Sequence, residues 1–398
     1  MSGMVFKPLT ASPLLRQTRC PWNNCFSTEI FAMRRLLPVL ALLTVLPGLS
    51  QAQPYDFRPV SQHINTFVGA DAEDLLEGAS MIVIQNGQAI YKKSFGSYER
   101  IAPQVPIASA SKWLSALVLQ RLVEAGKMRW TDTISDYYGT DYPNATPMKG
   151  RITLGQMFSH TAGMSVEVPT CLTPLYKDMA LDDCAKTILS KQLSWQPGTQ
   201  FAYGEGSMQV AGAMAQRATG MTWAQLVAAE LTGPLALGRT DFGLNKNGTP
   251  FANPIIAGGA RSTMMDYANV VQMVLQKGMF RGKQYLSPES IAEMQLDQTL
   301  GAPAIPDADP YPEAFGYGYG EWRNAVDCNG VAIEISSTGI FGTSPWVNYQ
   351  HGIAAVFFAY RQLPGGSVMR DNITQLWGLV ADAIGAPPTC PGSGATGN

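Results

Sequence analysis

The chain has only three histidines in 398 residues, His63, His160 and His351, and they stand far apart. A hydrolase whose nucleophile is activated by histidine therefore has few residues to draw on. No serine lies in the GxSxG elbow of the common esterases either. Zinc lacks a ligand set of the usual spacing, because no CxxC occurs and the histidines are scattered. Neither a metal nor another cofactor is expected. Charged residues make up only 15% of the chain and form no block and no basic stripe. That argues against nucleic acid as a partner.

The hydrophobic content of 46% is ample for a large core. One apolar run stands out near the start. Met33-Arg34-Arg35 precedes LLPVLALLTVLPGL, and Ser50-Gln51-Ala52 follows. A charged start, a short apolar stretch and a small-x-small site read as a signal peptide over 33–52, too short for a comfortable membrane span. Residues 1–32 then lie upstream of the expected start at Met33. Export to the periplasm or beyond is the expectation, with no stable membrane span left after cleavage. Removing residues 1–52 takes five of 28 Lys+Arg and one of 30 Asp+Glu, leaving a net charge of −6. Four cysteines remain, Cys171, Cys184, Cys328 and Cys390, and four allow three connectivities. The favoured pairing joins Cys171 to Cys184 in a short local loop and Cys328 to Cys390 at the C-terminal tail.

Residues 54–77 read as a leading amphipathic helix. MIVIQNGQAIYKKSFG reads as two strands around an Asn86-Gly87 turn. From Trp113 to Ala125 the apolar residues Trp113, Leu114, Leu117, Val118, Leu122 and Val123 fall near one helical face, closed by Gly126. From about 131 to 256 the pattern turns to loops and short helices. Ser262-Thr263-Met264-Met265-Asp266 reads as a cap for a helix running to Gly278, with Met264 and Met265 in the core. VAIEISSTGI, PWVNY and GIAAVFFAY read as strands, and a last helix is expected over about 371–384. The expected fold class is α/β (α+β). Its sheet is assembled from both chain ends, about 54–130 and 257–388, with a mainly helical part over about 131–256 and a tail at 389–398.

PIASASKWLSALVLQ holds Ser109 and Lys112 three apart at the start of a helix. A serine hydroxyl needs a base before it can attack a carbonyl. A lysine can replace histidine as that base when burial or neighbouring positive charge holds it neutral. Three residues' spacing puts both side chains on one helix face. The helix N-terminus also favours negative charge developing on the serine. SxxK fixes only two positions of four, so the pair alone says little. It has company: Tyr203, at the turn after Gln196-Pro197-Gly198, could relay a proton. Ser337-Thr338-Gly339 ends a strand, where a glycine lets substrate backbone approach closely.

The chain resembles the serine hydrolases related to class C β-lactamases, penicillin-binding DD-peptidases and the SxxK esterases. The resemblance covers roughly residues 78–384 and rests on segments that follow in family order. They are IASASK, ITLGQMFSHTAGM, QPGTQFAYGEGSMQVAGAMAQRATG, GPLALGRTDF, AGGARSTMMDYANVVQMVLQKG, YGYGEW and SSTGIFGTSPW. It implies an antiparallel sheet flanked by helices with an inserted helical domain. It implies Ser109 as acylated nucleophile, Lys112 as its base and Tyr203 as proton shuttle. The backbone N–H groups of Ser109 and Ile340 would form an oxyanion hole, where one donor can be worth about 3 kcal/mol of barrier. Ser337, Thr338 and Gly339 would face substrate.

Two positions depart from the family pattern. Glu205 stands where an asparagine is usual, and a carboxylate cannot donate to a substrate carbonyl. The Ser337-Thr338-Gly339 element lacks a leading lysine, so a cation that would greet a substrate carboxylate is missing. Both changes favour ester or amide hydrolysis over β-lactamase or DD-carboxypeptidase action, and Glu205 could favour a substrate carrying an amine. A penicillin-recognising domain without turnover is a further alternative. Trp346 and Phe341 are either walls of an acyl pocket or core residues of a strand. His160, in FSHTAGM, reads as a residue that bonds a turn. The partner expected is a small-molecule or peptide-like ester or amide.

Overall fold

The computed structural model describes residues 55–69, 76–100, 102–361 and 366–385. The leader, residues 1–32, Cys390 and the tail all lie outside these. Among the described residues the main sheet has six strands. The N-terminal end supplies β1 (Gly78–Gln85) and β2 (Gln88–Gly96). Two short pairs follow, β3 (Val105–Pro106) with β4 (Arg261–Ser262) and β5 (Met279–Phe280) with β6 (Lys283–Gln284). The C-terminal end supplies β7 (Trp322–Val326), β8 (Ala332–Ser336), β9 (Ser344–Asn348) and β10 (Ile353–Ala359). The order is β2-β1-β10-β9-β8-β7, antiparallel throughout. Both chain ends thus meet where β1 pairs with β10. The β1–β2 hairpin turns at Asn86 (φ 50°) and Gly87 (φ 75°), the positive-φ pair a two-residue loop requires.

Helices cover both faces. They are α1 (Arg58–Asn65), α2 (Ser111–Glu124), α3 (Ile134–Tyr138), α4 (Pro147–Gly150), α5 (Leu154–Phe158), α6 (Leu181–Leu189), α7 (Gly206–Thr219), α8 (Trp223–Val227), α9 (Met264–Leu275), α10 (Pro288–Met294) and α11 (Gly366–Ile384). The strand period of two sorts β10 between two cores. Ala354, Val356 and Phe358 join the core shared with α2, α9 and the helical middle. Ile353, Ala355, Phe357 and Ala359 join the core under α1 and α11. None of the described helices is long and apolar enough to cross a membrane.

Several expectations are corrected. The leading helix is short, Arg58–Asn65, because Val68 leaves it to bridge Leu76. The last helix starts at Gly366 rather than near 371. Helix α2 is buried all round rather than on one face: Lys112, Ser115 and Gln120 are buried too. Ser115 Oγ donates to the Ile256 carbonyl at 2.7 Å, and Gln120 Oε1 accepts from Trp130 Nε1. Polar groups tolerate burial when paired in this way. Thr263 caps α9 as expected, its Oγ1 accepting from Asp266 N, but α9 ends at Leu275 and Met265 is exposed. Met264 alone joins the core. Strand β7 and helix α10 were not anticipated. The Cys171–Cys184 disulfide is formed with Cα atoms 5.6 Å apart. Cys328 is also disulfide-bonded.

Trp346 belongs to the fold rather than to a substrate pocket. It is 1% exposed and stacks on Trp377 of α11, ring centres 4.8 Å apart and nearly parallel. Alternation along β9 turns it to the side where α11 packs. Trp346→Ala is expected to cost about 3–5 kcal/mol in urea unfolding, as for a large buried aromatic. A cost below about 1 kcal/mol would show that the stack does not hold α11 to the sheet.

Candidate active site

Ser109 does not begin α2. It sits in a one-turn 3₁₀ segment, Ala108–Ala110, immediately before it. Ala108 has φ 45°, a left-handed conformation uncommon for alanine. The strained turn is held from several sides. Ile107 N donates to the Ala260 carbonyl, Ala260 N donates to Ser111 Oγ, and the Tyr267 hydroxyl donates to the Ala110 carbonyl at 2.6 Å. Gly339 packs directly on it. A Cβ at 339 would fall 2.1 Å from the Ile107 carbonyl oxygen. Glycine is therefore required there for the loop after β8 to reach the Ser109 turn.

Lys112 is 0% exposed. Its Nζ donates to Ser109 Oγ at 3.0 Å and to the Ala257 carbonyl at 3.2 Å. It also lies 4.6 Å from the centre of the Tyr203 ring. Among the described residues no carboxylate comes within 4.0 Å of it. Tyr203 is held edgewise and flat. Its ring stacks on Trp322 at 5.4 Å, Tyr317 meets it in a T, and His160 tilts over it at 4.4 Å. Its N–H donates to the Ala308 carbonyl, so the 303–311 loop runs beside it as a wall.

These elements enclose a cleft of about 440 Å³, the size of a small-molecule site. Ser109, Tyr203, Thr338, Gly339 and Ile340 all line it. Ser109 and Ile340, the two residues whose N–H groups were expected to form an oxyanion hole, both line this cleft. Ser337 is close but turned inward, 3% exposed, with its Oγ donating to the Gly320 carbonyl at 3.0 Å. Thr338 Oγ1 shares a 2.7 Å hydrogen bond with Ser344 Oγ. Glu205 begins α7 as its N-cap and is not among the cleft's lining residues; its carboxylate faces the Gly258 loop. Phe341 packs on Tyr360 instead of the cleft.

The opposite wall carries no signature in the sequence. Asp307 comes from a one-turn 3₁₀ segment, Pro306–Ala308, Asp309, Pro310 and Tyr311 from the loop after it, and Met369 and Arg370 from the first turns of α11. Burial pushes the Tyr311 phenol up to about 12, so it stays neutral there. A loop has no period to betray it. The first turn of α11 lies ahead of the helix start expected near 371.

Behind the site lies one more unexpected group. Glu321 is 0% exposed, and neither carboxylate oxygen has a hydrogen-bond partner among the described residues. Its neighbour Gly320 presses on α2, where a Cβ would lie 2.6 Å from the Lys112 carbonyl oxygen. Burial pushes the Glu321 carboxyl well above the usual range, and the Arg323 charge opposes this only in part.

The Beta-lactamase family model matches residues 64–376. A Bacteroides dorei DSM 17855 protein, solved as a candidate beta-lactamase, is 30% identical with a TM-score of 0.70, covering 81% of this chain and 98% of that one. EstCE1, described as a hydrolase with promiscuous acyltransferase activity, shares the fold at 19% identity and a TM-score of 0.62, over 82% of this chain and 98% of its own. Protein flp of Staphylococcus aureus (strain MRSA252) is 24% identical over 47% of this chain and 39% of its own length. The chain thus spans about two fifths of that relative. Esterase EstB of Burkholderia gladioli is 26% identical over 42% of this chain and 47% of its own.

A carboxyl with a raised folded-state pKa adds stability that is complete below its unfolded value of 4.5 and is lost as pH rises towards the folded value. Glu321→Gln removes that dependence. Relative to wild type, the variant is expected to become more stable as pH rises above 5, read by urea unfolding between pH 5 and 8. Parallel curves for the two proteins would show that Glu321 keeps no proton in the folded state.

Proposed function

The chain belongs to the beta-lactamase family, and we propose that this beta-lactamase-fold hydrolase cleaves ester or amide bonds through an acyl-enzyme on Ser109. The carrying observation is the 3.0 Å contact between Lys112 Nζ and Ser109 Oγ at the foot of the cleft. As the base, Lys112 takes the proton from Ser109 Oγ while the oxygen attacks the substrate carbonyl carbon. The N–H groups of Ser109 and Ile340 stabilise the oxyanion. The tetrahedral intermediate collapses and the bond to the leaving group breaks. The proton passes from Lys112, by way of the Tyr203 hydroxyl, to the leaving oxygen or nitrogen. Water then adds to the acyl-enzyme by the same route in reverse and frees Ser109. The likeness to Esterase EstB, and to EstCE1, a hydrolase with promiscuous acyltransferase activity, fits this reading.

One observation favours a second reading, β-lactamase or DD-carboxypeptidase action. Arg370 lines the cleft, so a cation is available to a substrate carboxylate although the Ser337-Thr338-Gly339 element has none. Arg370 already donates to the Pro310 carbonyl at 2.8 Å and lies 3.6 Å from Asp371. These contacts compete with a substrate for it.

A fluorophosphonate probe is expected to add once to the wild type and not to Ser109→Ala, read by intact mass. A short-chain nitrophenyl ester is expected to turn over faster than a chromogenic cephalosporin, and Ser109→Ala to lower kcat/KM at least about 10³-fold. Labelling that survives in Ser109→Ala would remove Ser109 as nucleophile. Faster cephalosporin hydrolysis would favour the second reading. An acyl-enzyme that persists for hours would mark a penicillin-recognising domain without turnover.

Export is part of the proposal. The Cys171–Cys184 disulfide suits an oxidising compartment, and residues 33–52 read as its leader. Protein recovered from periplasm or medium is expected to begin near residue 53 on N-terminal sequencing. A start at Met1 or Met33 would overturn this.

A further inference from the structure

Tyr203 is held in place by a residue outside the proposed chemistry. His160 follows α5 at φ 59°, again a left-handed non-glycine position, and is 3% exposed. Its backbone carbonyl accepts from Ala202 N at 2.9 Å, and its ring Nδ1 accepts from Gly204 N at 3.3 Å. The two contacts bracket Tyr203 from either side in sequence, while the imidazole lies against the tyrosine ring. An Nδ1 that accepts a hydrogen bond carries no proton, so the neutral ring has its proton on Nε2. Nε2 is buried without a hydrogen-bond partner among the described residues.

The titratable groups around it are few. Lys112 acts from α2, Tyr203 from the turn before α7 and Tyr317 from the loop before β7; Phe201 adds only an apolar edge. None of these is an acid that could pair with an imidazolium. Burial, with the charge of Lys112 as the lesser cause, holds His160 well below the ordinary histidine value. Protonation at Nδ1 would convert the acceptor of the Gly204 N–H into a donor facing a donor.

We propose that His160 is a positioning residue of the reaction: as the neutral Nε2–H tautomer it fixes the Tyr203 turn, and a proton added at Nδ1 releases it. The inference rests on the reading of Tyr203 as proton carrier. It assigns His160 no contact with substrate. Activity should therefore acquire an acid limit that belongs to His160 rather than to the nucleophile pair. Stability follows the same sign. The unfolded chain takes up this proton near pH 6.5, whereas the folded chain resists it. The contribution of His160 to stability is intact above that pH and lost as pH falls below it.

Asparagine separates the roles. Its Oδ1 can stand where Nδ1 stands, it accepts the left-handed backbone, and it does not titrate. With nitrophenyl butyrate as substrate, His160→Asn is expected to keep kcat within about 3-fold at pH 8 and to lose the lowest acid limb of the kcat profile. His160→Ala is expected to lower kcat about 10-fold to 100-fold with KM little changed, the scale of a small misplacement. The wild type needs no substitution: with three histidines in the chain, ¹⁵N-histidine NMR should show one ring as the neutral Nε2–H tautomer well below pH 6.5. An Nδ1–H tautomer, or three rings titrating alike, overturns the proposal even if neither variant folds. So does an acid limb unchanged in His160→Asn. Failure of the Ser109 reading would appear separately, as absence of a fluorophosphonate adduct at Ser109 in the wild type.

Discussion

The site depends on a lysine held inside the protein by two oxygens. Lys112 has no exposed surface, and its Nζ reaches the Ser109 hydroxyl and the Ala257 carbonyl. A carboxylate in reach would claim the amine as an ion pair and take it from the serine. The described residues put none there. Much of the surrounding architecture keeps this arrangement closed: α2 is buried on all sides, Gly320 presses on the Lys112 carbonyl, and Tyr203 covers the amine with its ring.

The second constraint is the turn that carries Ser109. A left-handed alanine costs on the order of 1–3 kcal/mol and persists only when its surroundings fix it. Here they come from distant parts of the chain. Strand β3 pairs with β4, Tyr267 of α9 donates to Ala110, and Gly339 contacts Ile107 from the far end of the sheet. The same interlocking repeats at Tyr203, which His160 and the 303–311 loop grip from opposite sides. The cleft is thus lined by five separated segments, at Ser109, Tyr203, 307–311, 338–340 and 369–370.

This assembly explains why the cleft has two unlike walls. The wall with Ser109, Tyr203 and Ile340 carries the atoms proposed to handle the acyl group. The other wall, with Asp309, Tyr311 and Arg370, carries charge and a phenol. Substrate choice is expected to lie with the second wall, since Glu205 faces the Gly258 loop and Trp346 is sealed under α11.

The sequence by itself determined whatever local rules govern. Asn86-Gly87 specified a hairpin because a tight turn needs positive φ at both positions. Ser109 and Lys112 met at three residues' spacing, and Cys171 found Cys184 across a short loop. Strand periods at both chain ends foretold one sheet built from the two. Tertiary structure alone decided the rest, because those choices rest on contacts between residues far apart in sequence. Nothing near Trp346 says which face of β9 α11 will cover. Nothing near Met265 says that its side of α9 stays in solvent, and nothing near Glu321 says that a carboxyl will be sealed behind the lysine. Arg370 lines the cleft from the start of α11, ahead of the helix expected near 371.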